Sequence, residues 1–380
     1  MRKIASRAAL AITLLFYVCA PLEFGQVTSK QTSTKWEKYG PAARYQHTAI
    51  YDTGSDTMVI FGGQHTSSTQ NYSDVWWANH VTTAACAPPC PLQWTHPGGN
   101  LHGPSARFGH TSVYDSANSR MVVFGGAEGL KNPAPCLNDV YVLEYAAGVG
   151  GTTKWDTSGP TGSPPPVRYN HTAVYDAADN EMIVFGGNNC GSKYYNDVWV
   201  LTNANGLGST PAWSQLSPAG SAPGPRANTS AVYDAVNDIM IVFGGFNGSP
   251  YGDVWLLMHA GAVSGSPAWT QLKPTGTTPS ARYQHSAVYD PDSNRMIIYG
   301  GHTKNQADIT ETWVLANANG LGGAPYWTLT SSDGPQRALH SAVYDPGTNK
   351  MIIFGGQVPK AVNGNPTDDH VYILNDANGL

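Results

Sequence analysis

Six times along this chain an apolar run ends in a double glycine: MVIFGG at 58–63, MVVFGG at 121–126, MIVFGG at 182–187, MIVFGG at 240–245, MIIYGG at 296–301 and MIIFGG at 351–356. The spacings between copies are 63, 61, 58, 56 and 55 residues, the mark of one supersecondary unit repeated in tandem. Each run is preceded by a string that opens with arginine and closes on Tyr-Asp, starting at Arg44, Arg107, Arg168, Arg226, Arg282 and Arg337. Each is followed by a short aromatic stretch (DVWWA, DVYVL, DVWVL, DVWLL, ETWVL, HVYIL). A tryptophan then opens a fourth segment, at Trp36, Trp94, Trp155, Trp213, Trp269 and Trp327.

Every unit therefore holds four β-like runs rich in Val, Ile, Tyr, Phe and Trp, separated by turn clusters such as YDPDSN and NANGLGGAP. Four short strands per repeat make a propeller blade. The second run is apolar at nearly every position, as expected of a strand covered on both sheet faces because its blade is sandwiched between two others. No run has helical periodicity. The pattern predicts an all-β fold, a six-bladed β-propeller with four antiparallel strands per blade. The last copy stops at NDANGL, just before its fourth strand, and an unmatched TKWEKYG lies around Trp36. The N-terminal strand is thus expected to complete the sixth blade, whose sheet would otherwise end on an open edge.

Composition fits this reading, with 42 glycines, 27 prolines and only 12% charged residues. The first residues stand apart. Arg2, Lys3 and Arg7 precede an apolar run from Ala8 to Ala20, the n-region and h-region of a secretory signal and too short to span a bilayer. Residues 1–25 are expected to be a removed signal peptide and 26–380 a single propeller, secreted or periplasmic. Loss of the leader removes three basic residues (Arg2, Lys3, Arg7) and one acid (Glu23), so the formal charge moves from −5 to −7. An acidic domain with scattered Lys and Arg gives no electrostatic reason to bind nucleic acid. No later segment is apolar enough for a membrane span.

The order R-x-x-H, YD, apolar run ending in GG, aromatic strand and Trp resembles the kelch repeat, in the superfamily of the galactose oxidase central domain, and covers essentially all of the chain after the leader. The resemblance implies the propeller fold. Kelch propellers host enzymes, glycan binders and protein adaptors, so it does not by itself imply an activity.

Antiparallel topology sorts the loops onto two faces. The arginine strings, the loops after GG and the starts of the third strands share one, the arginine face. The Tyr-Asp turns and the loops before each Trp share the other, the aspartate face. Cys136 and Cys190 fall in neighbouring loops of the arginine face, and Cys86 and Cys90 sit together in one loop of the opposite face, so the expected disulfides are Cys86–Cys90 and Cys136–Cys190. His47, His110, His171, His285 and His340 occupy one register near the channel, with Thr229 in the fourth copy. Such a ring has metal-binding chemistry, but a repeated imidazole more often bonds a neighbouring blade, and no metal or cofactor is expected. Asp74, Asp139, Asp197, Asp253 and Glu311 at the third-strand starts suggest repeated arginine–carboxylate pairs, from which the sixth copy departs with His370.

Function is better sought where the copies differ. Arg44 and Tyr45, Arg107 and Phe108, Arg168 and Tyr169, and Arg282 and Tyr283 carry an aromatic residue after the arginine, whereas Ala227 and Ala338 follow it in the fourth and sixth copies. The loops after GG add Tyr72, Tyr195, Phe246, Tyr251 and His302. An uneven ring of aromatic and polar groups around a channel mouth suits a glycan or an extracellular protein partner. The chain holds no G-x-S-x-G, H-E-x-x-H, C-x-x-C or phosphate-loop motif, and no catalytic residue is assigned. The preferred reading is an exported, non-catalytic binding module. The alternative is a carbohydrate-active enzyme similar to the exported six-bladed sialic acid mutarotases, using arginine and acid pairs on a carboxylated sugar. Galactose oxidase chemistry is disfavoured because its family has seven blades and a tyrosine–cysteine copper site that maps onto nothing here. Nothing in the pattern speaks to oligomeric state.

Overall fold

The computed structural model describes residues 40–65, 71–83, 92–97, 101–129, 134–261, 265–305, 309–362 and 365–380. They form a six-bladed propeller of antiparallel sheets. Blade three shows the plan: Thr172–Asp176 innermost, then Glu181–Phe185, Val198–Thr202 and Ala212–Leu216 outermost, each hydrogen-bonded to the next. Blades one, two, four and five begin at Thr48–Asp52, Thr111–Asp115, Ser230–Asp234 and Ser286–Asp290 and repeat that order. Blade two adds a short strand, Arg107–Phe108, on the extended second strand Arg120–Glu128. Blade six pairs Ser341–Asp345, Lys350–Phe354 and Val371–Asn375, with a hairpin of Gln357–Val362 and Asn365–Thr367 beside them.

The expected burial of the second strands is met: Met58, Val59, Ile60 and Phe61 are all inaccessible to solvent, as are Met240, Ile241, Val242 and Phe243. Side chains alternate between the two faces of a sheet, so each second strand feeds two seams. The seam between blades four and five, for instance, gathers Ile241 and Phe243 with Met296, Ile298 and Trp327. Burying one such side chain fully stabilises by about 1.5–3 kcal/mol. In five seams the fourth-strand tryptophan of one blade packs on the second-strand phenylalanine of the blade before it. The pairs are Trp155 on Phe61, Trp213 on Phe124, Trp269 on Phe185, Trp327 on Phe243 and Trp94 on Phe354, with ring centroids 4.8–5.2 Å apart.

The expected N-terminal strand and Trp36 lie outside the described residues, as do the signal segment, Cys86 and Cys90. The ring has other closures. Gly356 N–H donates to the Arg44 carbonyl at 2.9 Å, Gln46 N–H donates to the Leu339 carbonyl at 2.9 Å, and His47 Nε2 lies 2.7 Å from Ser341 Oγ. Met58, Ile60 and Trp94 of blade one pack with Val343, Ile352 and Phe354 of blade six.

The double glycines make these approaches sterically possible. Gly62 and Gly63 have φ of 68° and 94°, and a Cβ on Gly63 would lie 2.8 Å from His47 Cβ. The second glycine of each pair donates its N–H to the carbonyl of the next blade's arginine, as Gly63 does to Arg107 at 2.9 Å.

Candidate functional site

Each arginine that opens a repeat points inward and is 0–2% exposed. Arg226 shows its use: Nε donates to the Gly224 carbonyl, one terminal nitrogen to the Gly244 carbonyl at 3.0 Å, and both terminal nitrogens to Asp253 at 2.6 and 3.0 Å. Arg44, Arg107 and Arg168 bind Asp74, Asp139 and Asp197 with the same two-point geometry, and Arg282 binds Glu311 at 2.7 Å. Trp76, Trp199, Trp255 and Trp313 each donate an indole N–H to the same carboxylate. The expected departure in blade six is only partial. Asp368, two residues ahead of His370, pairs with Arg337, and the Tyr372 hydroxyl stands where other blades have an indole.

Although burial opposes it, hydrogen bonding from the arginine holds Asp74, Asp197 and Asp253 below the usual carboxylate range. Asp368 is lowered to about 2, its burial outweighed by hydrogen bonding from His370 and by Arg337. Asp368, Asp369 and His370 are also the one group of clustered metal-ligand side chains among the described residues, and Asp368 is already committed to Arg337.

The histidines serve the seams. Nε2 of His110, His171, His285 and His340 lies 2.7–2.9 Å from a hydroxyl of the preceding blade, on Thr48, Thr111, Ser230 and Ser286 respectively. His47 does the same to Ser341 across the sixth seam. In blade four Thr229 bonds instead to the carbonyl of Phe243 in its own second strand. Burial and nearby arginines push the five imidazoles well below their ordinary pKa, His340 to about 3, so they are neutral at physiological pH.

Immediately before each histidine register stands a residue with left-handed φ: Gln46, Gly109, Asn170, Asn228, Gln284 and Leu339, all between 53° and 60°. Their backbones form a closed circlet. Each N–H donates to the carbonyl of the equivalent residue one blade back, at 2.7–3.1 Å, through all six blades. Gly109, Asn170 and Asn228 are residue types that favour left-handed backbone, whereas Gln46, Gln284 and Leu339 adopt it without that preference. The circlet rims a cavity of about 130 Å³ at the arginine face. Gly109 has no side chain to offer, and in the space beside it Gln46 Nε2 reaches Asn170 Oδ1 at 2.8 Å, while Gln64 Nε2 donates to Gln46 Oε1.

Around the rim the proposed contact residues separate into two groups. Tyr72, Tyr195 and Tyr251 lie over the guanidinium groups of Arg44, Arg168 and Arg226, with 4.0–4.6 Å from the central carbon to the ring centroid. They stack on the buried arginines. Tyr45, Phe108, Tyr169, Phe246, Tyr283 and His302 are half-buried, next in chain or in backbone pairing to the circlet residues but not among the residues that line its cavity. Phe108 and Tyr169 meet edge to face. Phe246, paired through its backbone with Ala227, packs on Tyr283 at 4.8 Å, and His302 stacks on Tyr283 at 5.5 Å. Cys136 and Cys190 form the expected disulfide, Cα atoms 5.6 Å apart, tying the arginine-face loops of blades two and three.

At the opposite mouth is a collar that the face sorting overlooked. The tyrosines of the six Tyr-Asp pairs, with valines beside them, line a cavity of about 340 Å³. Its signal was in plain view, because tyrosine occupies that position in every repeat.

Comparison with known proteins decides the family. The model of the KLHDC2/KLHL20/DRC7 Kelch-repeats domain matches residues 22–144, 90–261 and 264–378. This chain belongs to the kelch-repeat family. Among its relatives, host cell factor 2 of Homo sapiens is 28% identical over 72% of this chain, and the flagellar outer-arm dynein alpha chain of Chlamydomonas reinhardtii is 30% identical over 56%. The kelch chain spans 32% of the length of the first relative and 5% of the second. A solved structure of YjhT superposes with a TM-score of 0.60 at 18% identity, over 88% of this chain and 98% of that one, a likeness of fold. The kelch propeller as a fold suggests a protein-binding module, and its partner must be argued from the site. Among the described residues no helix is long and apolar enough to cross a membrane.

Proposed function

We propose that this kelch protein is an exported, non-catalytic module that binds a segment of a partner protein at the arginine-face mouth of its channel. The observation that carries the reading is the contrast between a uniform frame and an uneven rim. Arginines, carboxylates, histidines and double glycines repeat around the ring, while the rim presents Gln46, Gly109, Asn170, Asn228, Gln284 and Leu339 beside an incomplete aromatic circle. The backbones of these six positions serve the circlet, which leaves their side chains free to differ and to meet a partner. Amide side chains match the donors and acceptors of a peptide backbone, and half-buried aromatic rings supply apolar area at low entropic cost. Export is supported by the leader pattern and by the disulfide between Cys136 and Cys190, a bond that persists in oxidising compartments.

A glycan is the second reading, favoured by the placement of Tyr283 and Phe246 next to the amides of Gln284 and Asn228, since a flat ring stacks on a sugar's apolar face while amides bond its hydroxyls. The mutarotase-like alternative has less behind it, because the arginines that would bind a carboxylated sugar are buried and paired with carboxylates. Parallel arrays of surface-protein peptides and glycans, probed with the full chain and a Tyr283→Ala, Gln284→Ala double variant, test the proposal. Capture of peptides by the parent, reduced at least tenfold in the variant, is expected. Glycan capture alone would move the assignment to the second reading, and equal capture by both proteins would remove the site from this mouth.

A further inference from the structure

The aspartate-face mouth of the channel carries a chemistry of its own, unrelated to the partner-binding rim. Its wall is a collar of half-buried tyrosines, Tyr51, Tyr114, Tyr175, Tyr233, Tyr289 and Tyr344, one from each blade. Five of the six phenols donate to an Asp or Asn five residues on at 2.9–3.1 Å, as Tyr175 does to Asn180 and Tyr233 to Asp238, and Tyr114 reaches Ser119 Oγ at 3.4 Å. These bonds anchor each hydroxyl in its own turn, with the rings standing around the cavity.

The residue after each tyrosine is a buried aspartate, 3–8% exposed. These carboxylates are held by neutral donors. Asp115 accepts from the Ala117 and Asn118 amides and from Asn205 of the next blade at 2.7 Å, and Asp234 and Asp290 accept from Asn319 and Asn378 in the same way. None of the six takes part in an ion pair among the described residues. The basic side chains opposite them in the strand register, Arg120, Arg295 and Lys350, donate to the backbone carbonyls of Asn205, Asn378 and Thr82. The six carboxylates, joined by Asp56 and Asp238 under two of the tyrosine hydroxyls, outnumber those three cations. Burial and then the neighbouring aspartates raise the phenol pKa values, that of Tyr114 to about 12, so the collar does not itself ionise at neutral pH.

An aromatic wall backed by a surplus of negative charge, with an aliphatic floor, attracts a cation that carries its own apolar surface. A hard metal ion is a poor match, because it demands direct oxygen ligands and these oxygens are already bonded. The cavity of about 340 Å³ opens widely to solvent, so a ligand there rests on the rings and is not enclosed by them. We propose that the aspartate-face mouth binds a small organic cation of the alkylammonium or quaternary ammonium class, seated on the tyrosine rings.

Isothermal titration of the full chain with tetramethylammonium, choline and the uncharged isostere 3,3-dimethylbutan-1-ol tests this. Saturable binding of both ammonium ions, at least tenfold tighter than the alcohol, is expected. Tyr175→Leu with Tyr344→Leu, which removes two rings from blades three and six, should weaken binding about tenfold, whereas the corresponding Phe pair should stay within about threefold because the cation reads the ring and not the hydroxyl. Equal binding of the alcohol, binding by a trimethyllysine peptide but not by free ammonium ions, or no binding at all would each overturn the assignment. Should the Leu pair fail to fold, the isostere comparison and the Phe pair decide. Because this mouth is on the opposite face, its failure leaves the arginine-face reading standing.

Discussion

Lowering the pH from 7 towards 5 should destabilise this propeller before the usual carboxylate range is reached. The cause is five seam histidines, His47, His110, His171, His285 and His340, all 4–8% exposed and neutral in the folded chain. Their folded pKa values are lowered, so below about pH 6.5 the unfolded chain takes up protons that the folded chain refuses. The number bound in the unfolded state exceeds that in the native state, and stability therefore falls as pH falls. For His340, whose folded pKa is about 3, this costs about 2 kcal/mol at pH 5 relative to neutral pH, and about 1.4 kcal/mol per further pH unit down to that pKa. The other four imidazoles are lowered in the same direction and add to that loss, against the 5–15 kcal/mol that holds an ordinary domain together. His340, lowered to about 3, would contribute roughly 5 kcal/mol over its whole range. Urea unfolding followed by tryptophan fluorescence at pH 7.5, 6.5, 6.0 and 5.5 gives the slope directly. His171→Thr copies the arrangement that blade four already uses at Thr229, and it should flatten the slope by one proton without reversing the sign. Stability that stays level from pH 7 to 4.5, or a slope indifferent to His171→Thr, would refute the reasoning.

Other measurements probe the frame separately. Arg226→Met strands Asp253, whose side chain is only 21% exposed, after its bidentate partner is lost, and should cost about 3–5 kcal/mol in urea unfolding at neutral pH, with little left of that difference near pH 3 where the carboxylate is neutral in the variant. The Cys136–Cys190 bond closes a separation of 54 residues, so Cys136→Ser with Cys190→Ser should lower stability by about 4 kcal/mol on the chain-entropy account, and reductant should shift the parent by that much more than the variant, which keeps Cys86 and Cys90. Five seams seat a tryptophan on a second-strand ring and the sixth offers Tyr299, whose hydroxyl donates to the Pro335 carbonyl; if the N-terminal strand completes blade six, Trp36→Ala should cost about 3–5 kcal/mol, and an unchanged unfolding curve would dismiss that strand.

Repetition determined most of what was legible in advance. Six copies of one pattern give the blade count, strand order and loop faces, because a unit that cannot bury its own apolar faces must stack on identical neighbours. From the faces followed the Cys136–Cys190 bridge and the arginine–carboxylate spokes. What a repeat unit cannot disclose is how its members meet across a seam. That Asp368 and not His370 partners Arg337, and that Tyr72, Tyr195 and Tyr251 cover arginines while Tyr283 stacks with His302, depends on loop paths that differ from blade to blade. The circlet of backbone hydrogen bonds and the tyrosine collar exist only when the ring is closed. Each is assembled from one residue per blade, brought to a common axis by packing between segments some 55–63 residues apart in the chain.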